Sequence, residues 1–245
     1  MNQQLTALAV IPGLLILIYV YTKDRVEKEP VSLIVKLVAG GAVACLLAGE
    51  IESIMAEILP QYPNGTVGYA LVNAFLLAGF WEELLKYLAL RVFSWKKPNF
   101  NYRFDGIVYG ASSAVGFAVL ENIMYVSMYG FSTGVVRAFT AVPLHAFCGI
   151  AMGAFYSYAK KSAILGQGGK RAGFTILALL VPMLIHGIYD SFAFMSGSSV
   201  TAVLCLYGFV IVLYIAAITT IKRLSRSDYQ AGFYPEARPI EYKVQ

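Results

Sequence analysis

Apolar runs of about 20 residues with few or no charges, each long enough to cross the hydrocarbon core of a bilayer as a helix, recur along almost the whole chain. They lie at residues 5–21, 31–50, 67–90, 106–129, 134–159, 173–195 and 198–221. Composition agrees with this reading. Of 245 residues, 58% are hydrophobic and only 13% charged, about half the charged share of an ordinary soluble domain. The expectation is an all-α fold: a polytopic integral membrane helix bundle of about seven transmembrane helices. Residues 1–221 would form the bundle and 222–245 a basic tail.

The first run resembles a secretory signal peptide in position only. It has no basic n-region and no small-residue cleavage pattern before Lys23, so it reads as a retained anchor. Charge then sets orientation. Basic residues follow the first span (Lys23, Arg25, Lys28), the third (Arg91, Lys96, Lys97, Arg103), the fifth (Lys160, Lys161, Lys170, Arg171) and the seventh (Lys222, Arg223, Arg226, Arg238, Lys243). The intervening connections hold only Arg137. Basic loops stay in the cytoplasm, which predicts a multi-pass plasma-membrane protein with an extracytoplasmic N-terminus and a cytoplasmic C-terminus. The net charge of +5 therefore reports topology and implies no nucleic-acid partner; the partner is the lipid bilayer.

Cys45, Cys148 and Cys205 each fall inside an apolar span without C-x-x-C pairing. They read as small buried hydrophobes, not as a disulfide framework. No internal repeat is visible, and the loops are too short to fold alone. Residues 51–64 continue the second span in mixed polar and apolar character. Asn64-Gly65-Thr66 fits a glycosylation sequon but reads better as a turn. Residues 166–171 are glycine-rich yet fail the phosphate-loop pattern, having Ile164 and Arg171 where Gly and Ser or Thr are needed. Residues 228–245, with Pro235 and Pro239, read as a flexible end.

Ionisable side chains within the spans are few, and each costs on the order of 3 kcal/mol at mid-bilayer. Lys36 is near enough to an end to snorkel, and Glu50 and Glu52 sit at the far end of the second span, where water would reach them. The remainder are Glu82, Glu83 and Lys86 in the third span, Glu121 in the fourth, His145 in the fifth, and His186 and Asp190 in the sixth. Glu82 and Lys86 are four residues apart, so they share a helix face as an ion pair. His186 and Asp190 have the same spacing, as do Phe117 and Glu121. At 1.5 Å per residue, Glu121, His145 and His186 lie about 22–24 Å from the basic end of the bundle. Each group alone has a structural explanation: a neutralised packing pair, or an interhelical hydrogen bond. Seven together are more economically one polar site facing the bundle interior, since lipid satisfies none of them.

Carboxylates and histidines in an apolar pocket suit water activation. Burial raises a carboxyl toward the range of a general base, and His186, oriented by Asp190, can exchange a proton with a leaving amine. The metal alternative is zinc held by Glu121, His145 and His186, a two-histidine, one-glutamate set, although the H-E-x-x-H helix is absent.

Glu82-Glu83-Leu84-Leu85-Lys86 matches E-E-x-x-K, Phe117 to Glu121 matches F-x-x-x-E, and His186 to Asp190 matches H-x-x-x-D. In this order on successive spans, the three motifs resemble the PrsW family of bacterial intramembrane proteases. That family is distantly related to the CAAX prenyl endopeptidases, which carry similar E-E, F-x-x-x-H and H-x-x-x-N motifs. The acidic stretch 24–30, ending in Pro30, is also similar to the family's first loop. The resemblance implies an enzyme that makes the first cut in a single-span anti-sigma factor near the outer face of the membrane, releasing a sigma factor in an envelope stress response. It implies Glu82 and Glu83 as essential acids and His186 as the essential histidine, with Glu121 and Asp190 completing the motifs. His145 joins the site by its location alone. Two other classes fit the polar groups: a proton-coupled transporter, which would be expected to show inverted repeats, and a non-catalytic membrane scaffold.

Overall fold

The computed structural model describes residues 3–228, and among them there are helices and connections but no strand. The helices are α1 (Gln3–Lys23), α2 (Val31–Ile58), α3 (Val67–Leu71), a π-helix (Val72–Gly79), α4 (Phe80–Ser94), α5 (Arg103–Phe139), α6 (Ala141–Ile164), α7 (Gly168–Met195) and α8 (Val200–Ser227). Local signals set several boundaries. The Thr66 hydroxyl caps α3 by accepting the Tyr69 amide at 3.2 Å, and Ser199 does the same for α8 through Ala202. Asp105 accepts the Tyr102 amide at 2.7 Å, closing the start of α5.

Five stretches among the described residues are long and apolar enough to cross a membrane: α1, α2, Arg103–Ile164, α7 and α8. The third of these holds both α5 and α6, which pair antiparallel. Its most apolar 18-residue window is 78% buried against 22–33% for those of the others, so α5 and α6 form the centre and the rest surround them. Large apolar side chains cover the outside, among them Leu15, Val92 and Leu204, each more than 60% exposed. Such a surface is stable only against lipid, and the chain is a multi-pass membrane protein.

The α5–α6 pair meets through two G-x-x-x-G runs, Gly106/Gly110 and Gly149/Gly153. A Cβ on Gly153 would lie 2.0 Å from the Gly106 carbonyl oxygen. Small residues at this spacing let backbones touch, which is how helices gain van der Waals contact where lipid provides no hydrophobic drive.

Several expected boundaries are corrected. The second span continues to Ile58. The expected fifth span, 134–159, begins too early. The chain leaves helical geometry at Gly130 (φ 81°, ψ −163°), and residues 131–139 fold back along 121–126 before α6 starts at Ala141. A left-handed φ of this kind is open to glycine, and it lets one turn reverse the chain within the bundle. Helix α8 runs to Ser227, so residues 222–227 belong to the bundle and not to a tail. Beyond Asp228, the expected flexible end lies outside the described residues. Asn64-Gly65 does form a turn, with Gly65 at φ 79°. Cys45 and Cys148 are buried, but Cys205 is exposed on the outer face of α8, and all three are free thiols.

Candidate active site

The third span does not run as one α-helix. Its middle, Val72–Gly79, is a π-helix, and Glu82 and Glu83 follow in the first turn of α4. A π-turn changes the rotational phase of the residues after it, and such turns cluster at functional sites. Helix α7 lies directly against this stretch. A Cβ on Gly187 would meet the Phe75 ring at 2.3 Å, so the absence of a side chain there lets α7 bring His186 up to α4.

All seven predicted polar residues converge. The Lys86 Nζ lies 3.0 Å from Glu82 Oε2, 2.9 Å from Glu83 Oε1 and 2.9 Å from His145 Nδ1. It also sits 3.8 Å above the Phe117 ring, which gives the F-x-x-x-E phenylalanine a role as a cation–π floor. His145 Nε2 is 2.8 Å from Glu121 Oε2. His186 Nδ1 is 2.8 Å from Glu83 Oε1, while its Nε2 faces Asp190 Oδ2 at 3.3 Å and Glu82 Oε2 at 3.8 Å. The two imidazoles meet edge to face at 5.0 Å. Lys86 and Glu83 are completely buried.

Donor rules fix the histidine tautomers. An ammonium has only protons to give, so His145 Nδ1 accepts from Lys86 and Nε2–H donates to Glu121. His186 Nδ1–H donates to the Glu83 carboxylate, which leaves Nε2 as the nitrogen facing Glu82 and Asp190. Each imidazole is thus held by a carboxylate behind it and turns its other nitrogen toward Glu82.

Glu82, Glu121, His145, His186 and Asp190 line a cavity of about 400 Å³. Glu83 and Lys86 stand behind this wall. The last turns of α2 and Asn73 also line the cavity, so it lies toward the end of the bundle opposite the basic residues. Those residues gather at the other end, where Arg91, Lys160 and Arg171 surround the Trp95 ring.

Sequence reasoning missed two contributors. Arg137, read as a loop charge, pairs with Glu121 at 2.6 Å and with Asn122 at 3.0 Å, and its guanidinium stacks 3.9 Å from the Tyr125 ring. Its signal was its isolation as the one base on the otherwise base-free side. Glu52, expected to be solvated at the end of the second span, instead lines the cavity, because α2 continues past it.

Glu82, Glu83, His145 and His186 each offer a ligand atom, and these atoms all lie within 4.8 Å of one another. Glu121 falls outside that group; it serves His145 from behind. Glu82 Oε2 is 3.9 Å from His145 Nδ1 and 3.8 Å from His186 Nε2. Two imidazoles and one facing carboxylate are the donor types of a zinc site. The Lys86 ammonium now contacts Glu82, Glu83 and His145, so the residues fit a metal once Lys86 swings aside.

The chain is 35% identical to Protease PrsW of Bacillus subtilis over 73% of its own length and 78% of that protein. It is 33% identical to Protease PrsW of Geobacillus kaustophilus over 76% and 78%, and 30% identical to Protease PrsW of Halalkalibacterium halodurans over 90% and 96%. No solved structure matches. The family model of the PrsW family intramembrane metalloproteases matches residues 29–218, which hold all three motifs and His145. This match sets the carrier alternative aside: the chain belongs to the PrsW family and is an intramembrane protease.

Proposed function

We propose that this protease makes the first cut in a single-span membrane protein of the anti-sigma-factor type, on the extracytoplasmic side of the plasma membrane, and so starts the release of a sigma factor under envelope stress. The observation that carries the reading is a polar cavity enclosed by apolar helices and displaced from the basic end. With basic loops cytoplasmic, that displacement supports a cavity in the outer half of the bilayer, where the first cut of such a substrate would fall.

In this mechanism the scissile peptide enters the cavity beside Glu82. Glu82 Oε2, facing a nitrogen of each histidine, marks where the attacking water is held. Glu82 takes up its proton as it adds to the carbonyl carbon. His186 Nε2 then takes that proton from Glu82 and passes it to the leaving nitrogen as the C–N bond breaks, with Glu83 fixing the imidazole tautomer from Nδ1 and Asp190 stabilising the cationic ring. His145, whose Nε2–H is given to Glu121 and whose Nδ1 accepts from Lys86, holds the ammonium behind Glu82, where its positive charge favours the oxyanion that forms on the carbonyl. A zinc ion, where bound, would be held by Glu82, His145 and His186 and would supply Lewis-acid polarisation of the water and the carbonyl.

The test is cleavage of a membrane-anchored candidate substrate by purified protein in liposomes. Wild type cleaves, while Glu82→Gln and His186→Ala keep the helical spectrum and melting behaviour but do not cleave. Cleavage that persists in both variants refutes the assignment. Exhaustive chelation separates the two roles of Glu82. Activity lost and restored by zinc makes it a ligand; activity retained makes it the base.

A further inference from the structure

A second buried cluster of acids lies at the opposite end of the bundle. One oxygen each from Asp24 and Glu29, in the α1–α2 connection, and Asp105, in the first turn of α5, lie within 4.8 Å of one another. All three residues are at most 2% exposed. Asp228, at the end of α8, is equally buried and close enough for its charge to act on Asp24 and Asp105.

The partners of these carboxylates are unevenly distributed. Asp105 Oδ2 accepts the amides of Asn101 and Tyr102, Asp228 Oδ1 accepts the Phe104 amide, and Glu29 Oε2 accepts the Tyr109 hydroxyl. The facing oxygens have no such support. Among the described residues no group meets full hydrogen-bond geometry with either oxygen of Asp24, although the Val26 amide is close enough to pull on it, nor with Asp105 Oδ1 or Asp228 Oδ2. The nearby cations are otherwise engaged: Lys28 Nζ donates to the backbone carbonyls of Tyr21 and Asp24, and Arg103 Nη2 to Ser227. Buried polar groups in native proteins are satisfied almost without exception. A fully buried aspartate with both oxygens bare, aimed at two further carboxylates, lacks its partner.

We propose that Asp24, Glu29 and Asp105 bind a hard divalent cation of the Mg²⁺, Ca²⁺ or Mn²⁺ class, with Asp228 as an outer charge. The donor set is all oxygen, without imidazole or thiolate, which selects hard cations over zinc or copper. The site joins the α1–α2 connection, the start of α5 and the end of α8, three places that otherwise meet through a few hydrogen bonds such as Ser225 to the Lys23 carbonyl. The inference does not depend on the proteolytic mechanism, because the cluster shares no residue with the cavity.

The experiment uses the full chain, purified in detergent and stripped with chelator. Mn²⁺ binding is counted by paramagnetic resonance, and the melting temperature is followed with added Mg²⁺ or Ca²⁺. Wild type should bind one Mn²⁺ that Mg²⁺ or Ca²⁺ displaces. Its melting temperature should rise by roughly 5–10 °C at a hundredfold excess over the dissociation constant. Asp24→Asn should weaken binding at least about tenfold and abolish the rise. Absence of stoichiometric binding by wild type, or Asp24→Asn binding like wild type, overturns the proposal. If Asp24→Asn does not fold, Glu29→Gln is read by the same two criteria.

Discussion

Two clusters of buried acids occupy opposite parts of this molecule, and they are neutralised in different ways. Around the cavity, Glu82, Glu83, Glu121 and Asp190 are matched by Lys86, Arg137 and two histidines, and short contacts tie the set together, with Glu83 Oε2 and Glu52 Oε1 the oxygens left without a partner. At the basic end, Asp24, Glu29, Asp105 and Asp228 face one another with bare oxygens, while Lys28 and Arg103 bond elsewhere. The difference follows from surroundings. Lipid provides no ions, so a charged site within the bilayer must carry its own counter-charges. A site where the helices leave the membrane can draw a cation from solution, and its residues are free to converge without internal partners.

Removing charges one at a time tests that contrast. The largest effect is expected for Lys86→Ala, which strips the common partner from Glu82 and Glu83. Breaking a buried pair in this way lowers stability by about 3–5 kcal/mol, read as the loss of melting temperature in detergent; a wild-type melt would mean that the cavity acids are not neutralised from within. Glu83→Gln comes next. It leaves shape unchanged but weakens the grip on His186, so cleavage should fall by roughly 10–100-fold, while the melt falls less than in Lys86→Ala because Glu82 still pairs with the ammonium. Arg137→Gln should slow cleavage on the order of tenfold by freeing Glu121 to shift against His145, with Arg137→Lys recovering part of the rate. Equal rates for Gln and Lys would remove Arg137 from the site. The smallest effect carries the opposite sign. In chelator, Asp24→Asn should raise stability by about 1 kcal/mol, because it replaces a buried carboxyl that faces other acids without a hydrogen-bond partner. A destabilised variant would mean that the second cluster, like the first, is internally satisfied.

Much of the bundle was legible in the sequence, because crossing a bilayer imposes one length and one composition. The cavity residues were legible for the complementary reason: an ionisable group inside a span stands out against an apolar background, and i, i+4 spacing reported the faces of His186–Asp190 and Glu82–Lys86. What hydropathy does not encode is where backbone geometry departs from the α-helix. The π-helix before Glu82 and the reversal at Gly130 both lie in apolar sequence, and the second moved Arg137 from an assumed loop into the cavity. Glu52 was read as solvated although residues 51–64 were expected to continue the helix, because the sequence does not report that its face turns into the cavity. The G-x-x-x-G runs of α5 and α6 were present as letters, but only their coincidence across two helices gives them meaning. Asp24, Glu29 and Asp105 come from distant parts of the chain, and polar residues near a membrane edge attract no notice until the fold brings them together.

The segment bearing Glu82, Glu83 and Lys86 is divided by the π-helix into helical pieces of 5, 8 and 15 residues and carries three ionisable side chains within about one and a half turns, and this bears on how the protein is made. Synthesis proceeds from the N-terminus, so residues 67–94 emerge well before His145 and His186 exist. On its own in lipid, this segment can offset its two glutamates with the single ammonium of Lys86 and nothing more. Its lasting place among the hydrocarbon chains is therefore decided late, when the α5–α6 hairpin and α7 arrive to surround it. A nascent chain stopped before residue 145 should leave that segment accessible to water-borne thiol reagents at an introduced cysteine, and one extended past residue 195 should close it off.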